Sequence, residues 1–466
     1  MDAALIAKVL VLRALFRRRE KWSRQRLERH QATALRELRD HAWRYSPFYR
    51  RFHHGLRERP LQELPVLTKA MLMEHFDELV TDRAVRLAEA EAHATGPWGD
   101  ARFLGRYEVS LTSGTTGRRG VFCANPTEWA TILASYARAN DWAGLKAGPL
   151  HPLRLAVVSS TASWHQSARV GASLRSPFVH VTRLDATRPL SEIISGLEAA
   201  RPQSLVAYAS MARVLAEEQL AGRLHLAPRA VMCASEVLTD EARQRIEQAW
   251  GVKPFNVYGA TEAAGVASEC ERHSGLHLYE DLVITEVVDE DNRPVPPGTY
   301  GARVLVTVLF SRTQPLIRYE LSDSICLARE PCGCGRPFAL LAGIQGRAED
   351  VLHLADERGG TVAIPPNVFH RVLEPLPIRA WQVRQEPEGL VVLITEPEVG
   401  FDIPSLVEVL QRALMEQGAR APVIRVERVS SIARTGIGKA RLIQALREPS
   451  APRDGAARAG KERPPV

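Results

Sequence analysis

Between Arg154 and Tyr258, short apolar runs rich in β-branched residues alternate with segments whose apolar positions recur every three to four residues. The runs are Leu155 to Val158, Phe178 to Val181, Leu205 to Tyr208, Ala230 to Cys233 and Phe255 to Tyr258, and the helical patterns cover 189–200, 211–221 and 239–250. A strand paired parallel to its predecessor needs a long crossover, usually a helix, so this alternation predicts a parallel α/β sheet. The pattern then changes: Val283 to Val288, a turn at Asp291-Asn292, Pro296-Pro297-Gly298 and Ala302 to Val308 predict antiparallel strands in a β-rich subdomain. Upstream, residues 3–59 carry leucines and aromatics at helical spacing amid arginines, broken at Ser46-Pro47, which predicts two or three helices; Leu64-Pro65-Val66-Leu67-Thr68-Lys69 opens another. Beyond Gly346, strand patterns at Val351 to Leu354, Val391 to Thr395 and Val423 to Val429 and a helical one from Pro404 to Gln417 predict a small α+β domain. Pro449 to Val466 has no periodicity and reads as a disordered tail. The expected organisation is a helical segment 1–60, a large domain 61–346, a small domain 347–446 and a tail 447–466.

A chain of 466 residues exceeds the commonest domain length about threefold, which agrees with more than one domain. With 45% hydrophobic and 25% charged residues it is neither disordered, collagenous nor a disulfide scaffold. The net charge of +7 is uneven: residues 1–60 hold 16 basic and 6 acidic groups, leaving −3 for the remainder. Basicity confined to one end argues against a nucleic-acid partner and for, at most, a local anionic contact. Residues 3–29 therefore have two readings, a basic helix resting on an anionic membrane surface, or one whose leucines pack on the large domain while its arginines face water. Ala3 to Phe16, interrupted by Lys8 and Arg13, is too short to span a bilayer. Six cysteines without a disulfide framework or a signal peptide lead us to expect a reducing cytoplasm.

Five segments carry candidate chemistry. Leu111-Thr112-Ser113-Gly114-Thr115-Thr116-Gly117-Arg118-Arg119-Gly120 follows a strand pattern, and its glycines, hydroxyls and guanidiniums suit a polyphosphate; as composition alone it is equally a surface loop. Tyr258-Gly259-Ala260-Thr261-Glu262 follows a strand, where parallel sheets bind ligands, and Glu262 could hold Mg²⁺; the alternative is a helix-capping turn. Asp323 closes Pro315 to Asp323 and could accept ribose hydroxyls, or act as an N-cap. Gly346-Arg347-Ala348-Glu349-Asp350 marks a domain junction, and Arg434 to Arg441 presents Lys439 between glycines. Separately, Cys270, Cys332 and Cys334 with His273 or His277 have the composition of a closed Zn²⁺ site, although metal-free thiols remain the alternative.

Taken in order, these segments resemble the adenylate-forming superfamily of acyl-CoA synthetases, adenylation domains and luciferases, and in particular its phenylacetate-CoA ligase branch, over roughly residues 40–446. Leu64 to Lys69, Glu269-Cys270 and Cys332 to Arg336 look like that branch. The resemblance implies an ATP- and Mg²⁺-dependent acid–thiol ligase that forms an acyl-adenylate and passes the acyl group to CoA or a carrier-protein thiol. It also implies the roles. Ser113, Gly114, Thr115, Thr116 and Gly117 match the loop around the β- and γ-phosphates; Glu262 matches the magnesium carboxylate, in a motif with Tyr258, Gly259 and Thr261. Asp323 matches the ribose acid, Arg347 the nucleotide-contacting arginine beside the hinge, and Lys439 the mobile lysine of adenylation. Two departures stand out: Glu349 replaces the usual aspartate or lysine at the hinge, and Val351 to Asp356 lacks the usual glycine. Trp164, His165 and Tyr208 could accept a planar, aromatic acid, the alternative being that each serves only in packing or capping. The contrasting class is a noncatalytic zinc-bearing protein that binds anions or nucleic acid.

Overall fold

The computed structural model describes residues 3–96, 101–112, 119–148, 151–173, 176–347, 350–364, 366–433 and 441–446, with Arg347 and Asn367 described by backbone alone. Two compact units emerge: one comprises 1–349, 365–376 and 433–441, the other 350–364, 377–432 and 442 onward.

In the larger unit, helix α1 (Ala3–Arg19) is followed by α2 (Arg24–Tyr45), whose start is fixed by Ser23 accepting from the backbone N–H of Arg26. Ser46 stops α2 and caps the short helix Pro47–Phe52, as the break in the sequence pattern predicts. Apart from Phe178, which sits in a turn, the five β-branched runs lie in strands of one nine-stranded sheet. From one edge, Val179–Asp185, Leu153–Ser159, Ser204–Tyr208, Ala230–Ala234 and Phe255–Ala260 run parallel. The sheet then continues antiparallel through Ala264–Glu269, Leu276–Leu278, Leu340–Arg347 and Asp323–Leu327. Strand order reverses beside Leu153–Ser159, which lies between its two successors, and such a reversal opens a ligand crevice at the carboxyl ends of the strands. The predicted antiparallel pair is present as Val283–Val288 with Arg303–Val308, extended by Tyr319–Leu321. The hairpin of Glu108–Leu111 and Val121–Ala124 flanks the residues between them that carry the glycine-rich loop.

A buried ion pair ties the helical segment to this body. Both arms of the Arg138 guanidinium donate to Asp281 at 2.9 Å, and Arg19 from α1 approaches the same carboxylate at 3.4 Å. Arg138 also lies over the rings of Phe16 and Tyr279, each 4.5 Å from the guanidinium carbon. Burial alone would raise the Asp281 pKa, but the two guanidiniums hold it below the usual aspartate range.

The smaller unit contains a hairpin of Leu352–Ala355 and Thr361–Ile364 and a four-stranded sheet ordered Ile424–Arg428, Gly389–Thr395, Ala380–Glu386 and Ile443–Gln444. Its helix Ile403–Met415 is capped by Asp402. The helix Pro366–Leu373 clusters with the larger unit.

Candidate active site

Tyr258 ends the parallel series, and its hydroxyl donates to Asp323 Oδ2 at 2.7 Å across 65 residues of sequence. Asp323 is the first residue of a strand rather than a helix cap, and its register partner is Arg347. Three of the expected nucleotide residues are thereby linked, Tyr258 to Asp323 by a side-chain bond and Asp323 to the Arg347 backbone by strand pairing. Thr261 and Glu262 follow in the tight connection between Phe255–Ala260 and Ala264–Glu269, so Thr261 caps no helix. Ala264 takes a left-handed φ of 63° to close that turn. A Cβ on Gly259 would lie 2.9 Å from the Ala264 carbonyl oxygen and 3.2 Å from the Tyr136 ring, so the turn requires glycine there.

The turn is held from behind. Gln166 is buried; its amide donates to the Thr261 carbonyl at 2.9 Å, and its oxygen accepts from the Tyr136 hydroxyl at 2.7 Å. Glu262 acts electrostatically on Tyr136 and Tyr319: burial is the larger cause of their raised phenol pKa values, and the carboxylate adds to it. Beside Glu262 a cavity of about 30 Å³, room for roughly two waters, is lined by Ser110, Gln166, Thr261 and the apolar Phe122 and Trp129 among others.

The base of the glycine-rich loop is also fixed. Thr112 and Gly120 close it with a backbone bond of 2.9 Å and a Gly120 N–H bond to the Thr112 hydroxyl of 2.7 Å. Lys69 Nζ donates to the same hydroxyl at 3.1 Å. Thr68 caps the helix Lys69–Glu74, and the segment before it is anchored by Leu67 bonding the backbone of Arg318 and Glu320. Sequence reasoning gave Lys69 and Gln166 no role; the cue for Lys69 was its place in the branch-like Leu64 to Lys69 segment, whereas nothing local marks Gln166. A further residue missed is Ser235, whose φ of 68° follows the carboxyl end of Ala230–Ala234.

Residues 113–118, Ala348, Glu349 and Lys439 lie outside the described residues, as does the tail from Arg447. The proposed acid-pocket residues are engaged structurally: the Tyr208 hydroxyl accepts from Ser160 N–H at 2.9 Å, His165 Nδ1 is 2.7 Å from Ser167 Oγ, and Arg119 lies 4.8 Å over the Trp164 ring.

Away from this site, Cys270, His277, Cys332 and Cys334 bring their ligand atoms within 4.8 Å of one another. Cys270 and Cys332 Sγ are 3.8 Å apart, and Cys334 Sγ is 3.3 Å from His277 Nε2. His273 is not in this group. Its left-handed backbone turns the imidazole toward Glu269, 3.2 Å away, and the Phe255 ring. Burial and then Arg336 push the His277 pKa down to about 4, so its imidazole is neutral and able to ligate. All six cysteines are free.

No family model matches the chain. It is 31% identical over 271 residues to a phenylacetate-coenzyme A ligase of Thermus thermophilus, covering 54% of this chain and 58% of the relative. It is 29% identical over 255 residues to the Escherichia coli enzyme of the same name, covering 52% and 56%. The chain thus spans a little over half the length of these two relatives. Among solved structures, a 2-hydroxyisobutyryl-CoA ligase in the postadenylation state superposes with a TM-score of 0.70 at 22% identity, over 93% of this chain and 92% of that one, and so shares its fold.

Proposed function

We infer, from the premise that the chain is a homologue of the phenylacetate-CoA ligases with the adenylate-forming ligase fold, that it activates a carboxylic acid with ATP and transfers the acyl group to a thiol, CoA first among acceptors. A carboxylate oxygen attacks the α-phosphorus of ATP, the bond to pyrophosphate breaks, and an acyl-adenylate forms. The thiol then attacks the acyl carbon, AMP leaves, and the thiol proton is released. The observation that supports this most is the bond to Asp323, which pairs with the Arg347 backbone, from the hydroxyl of Tyr258, in the strand whose following turn carries Glu262.

In this reading Asp323, oriented by the Tyr258 hydroxyl, accepts from the ribose, and residues 113–117 surround the β- and γ-phosphates. Lys69 braces the base of that loop through Thr112. Glu262 is the Mg²⁺ carboxylate: magnesium takes one or two carboxylates and keeps several waters, for which the cavity of about 30 Å³ beside Glu262 offers space. The ion would neutralise charge on the phosphates. Lys439 is the cation that meets developing charge during adenylation. Free cysteines fit the reducing cytoplasm, where ATP and CoA are present.

The test is carboxylate-dependent exchange of labelled pyrophosphate into ATP over a panel of aromatic and aliphatic acids. Wild-type protein is expected to exchange with at least one acid, and Lys439→Ala to lose about 10²-fold or more while still binding ATP. Silence with every acid would overturn the ligase reading.

The Cys270, His277, Cys332 and Cys334 set is read as a structural Zn²⁺ site. Tetrahedral bonds of about 2.3 Å to sulfur place two thiolates roughly 3.8 Å apart, the separation seen for Cys270 and Cys332. Metal analysis should return about one zinc per chain. Cys332→Ser should lower the thermal midpoint yet leave the soluble fraction active, because a closed site contributes folding energy rather than a reacting group.

A further inference from the structure

Helix α1 is apolar on two opposite sides. Leu5 and Phe16 are buried, and Val9 and Leu12 pack beside them against the body of the larger unit. On the far side, at helical spacing, Ala3, Ala7, Leu10, Val11 and Ala14 face solvent, with Leu10 at 55% and Val11 at 68% exposure. Surface helices normally turn charge toward water, as α2 does with its exposed Arg26, Arg29 and Arg36. The outward side of α1 has charge only at its margins, in Lys8 and in the exposed Arg17, Arg18 and Lys21 at its carboxyl end. The one exposed acid between residues 3 and 29 is Glu28, held by Arg24 at 3.0 Å.

The leucine side does pack on the body, and Arg13 and Arg17 pair with Asp141 at 2.6 and 3.1 Å. What faces outward, however, is a second apolar side with a cationic end. A second copy of the chain is a poor occupant: a 17-residue helix is about 25 Å long, and its alanine-rich side covers far less than the roughly 800 Å² per partner of a stable dimer. An acidic protein would meet the arginines but leave Leu10 and Val11 uncovered.

We propose that α1 rests on a membrane surface containing anionic lipid. Leu10, Val11 and the alanine methyls enter the boundary between headgroups and acyl chains, while Arg18 and Lys21 meet headgroup phosphates. The helix lies along the surface rather than across it, for no helix among the described residues is long and apolar enough to cross a membrane.

The experiment is cosedimentation of the full-length protein with vesicles of phosphatidylcholine alone or mixed with phosphatidylglycerol, at low and high salt. Binding to the mixed vesicles is expected, falling about tenfold or more when the anionic lipid is omitted and weakening at high salt. Leu10→Glu with Val11→Glu should lose about tenfold or more of that binding at an unchanged melting temperature, since both side chains face water in the free protein. Arg18→Glu with Lys21→Glu should abolish the preference for anionic lipid. The proposal is overturned if the mixed vesicles are not bound, if Leu10→Glu with Val11→Glu binds like wild type, or if sedimentation equilibrium finds a dimer that this pair dissociates.

Discussion

Glu262→Gln is expected to lower pyrophosphate exchange by about 10²- to 10³-fold, with the residual activity requiring far more Mg²⁺. The substitution preserves shape and removes only the negative charge, and Glu262 is half-buried in a turn whose path is set by other groups. Gly259, Ala264 and the Gln166 bond to the Thr261 carbonyl define that turn and do not involve the Glu262 side chain. Loss of activity with unchanged thermal stability therefore separates a ligand role from a structural one. Gln166→Ala serves as the graded control: it frees the turn without touching the carboxylate, so it should cost less and should change the Mg²⁺ dependence in the same direction. Wild-type exchange in Glu262→Gln at ordinary Mg²⁺ would remove the carboxylate from the mechanism.

Asp281→Ala should be the most damaging single change to stability, at about 3–5 kcal/mol. It leaves the guanidinium of Arg138, 1% exposed and enclosed by Phe16 and Tyr279, without its bidentate partner, and strips Arg19 as well. Arg17→Ala is the contrast, because its bond to Asp141 lies at a surface where Arg17 is 57% exposed, and such pairs contribute about 0–1 kcal/mol. Chemical denaturation midpoints of the two variants decide the matter. Replacing Asp281 and Arg138 together by apolar residues should recover part of the loss, since the penalty arises chiefly from the stranded charge. The same pair predicts a pH dependence. The Asp281 pKa is depressed in the folded protein, so its contribution is complete above the ordinary aspartate value of about 3.9 and is lost as the pH falls toward the folded value.

Much of the architecture was legible because it is written locally. The five β-branched runs sit in strands but for Phe178, and the helical pattern at 239–250 lies over the helix Asp240–Trp250, whose cap Thr239 accepts from Ala242 N–H. What was not legible joins distant parts of the chain. The antiparallel strands beyond Phe255–Ala260 extend the parallel sheet itself, because Ala264–Glu269 reverses after a three-residue connection, Thr261 to Ala263, that depends on a left-handed alanine. No propensity marks an alanine for that conformation. The contacts of Lys69 with Thr112 and of Gln166 with Thr261 span 43 and 95 positions, and residue types at those spacings carry no signal. His273 and His277 were indistinguishable by composition. The backbone at His273, with φ of 50°, hands its ring to Glu269, while His277 sits in a strand whose neighbour Gly275 could not carry a Cβ, which would lie 2.4 Å from the Leu341 carbonyl oxygen.

The spacing of the cysteine cluster also sets a timetable for biogenesis. Cys270 and Cys332 are 62 positions apart, so a ribosome adding about 5–20 residues per second exposes the first half of the cluster roughly 3–12 s before the second. In that interval Cys270 and His277 offer an ion only two ligands. Cys332 and Cys334 reach them through a loop next to Leu340–Arg347, the strand that pairs with the one carrying His277. On the zinc reading proposed above, the full ligand set exists only once Cys334 has emerged, so chains made under zinc starvation should differ from wild type only after that late point in synthesis.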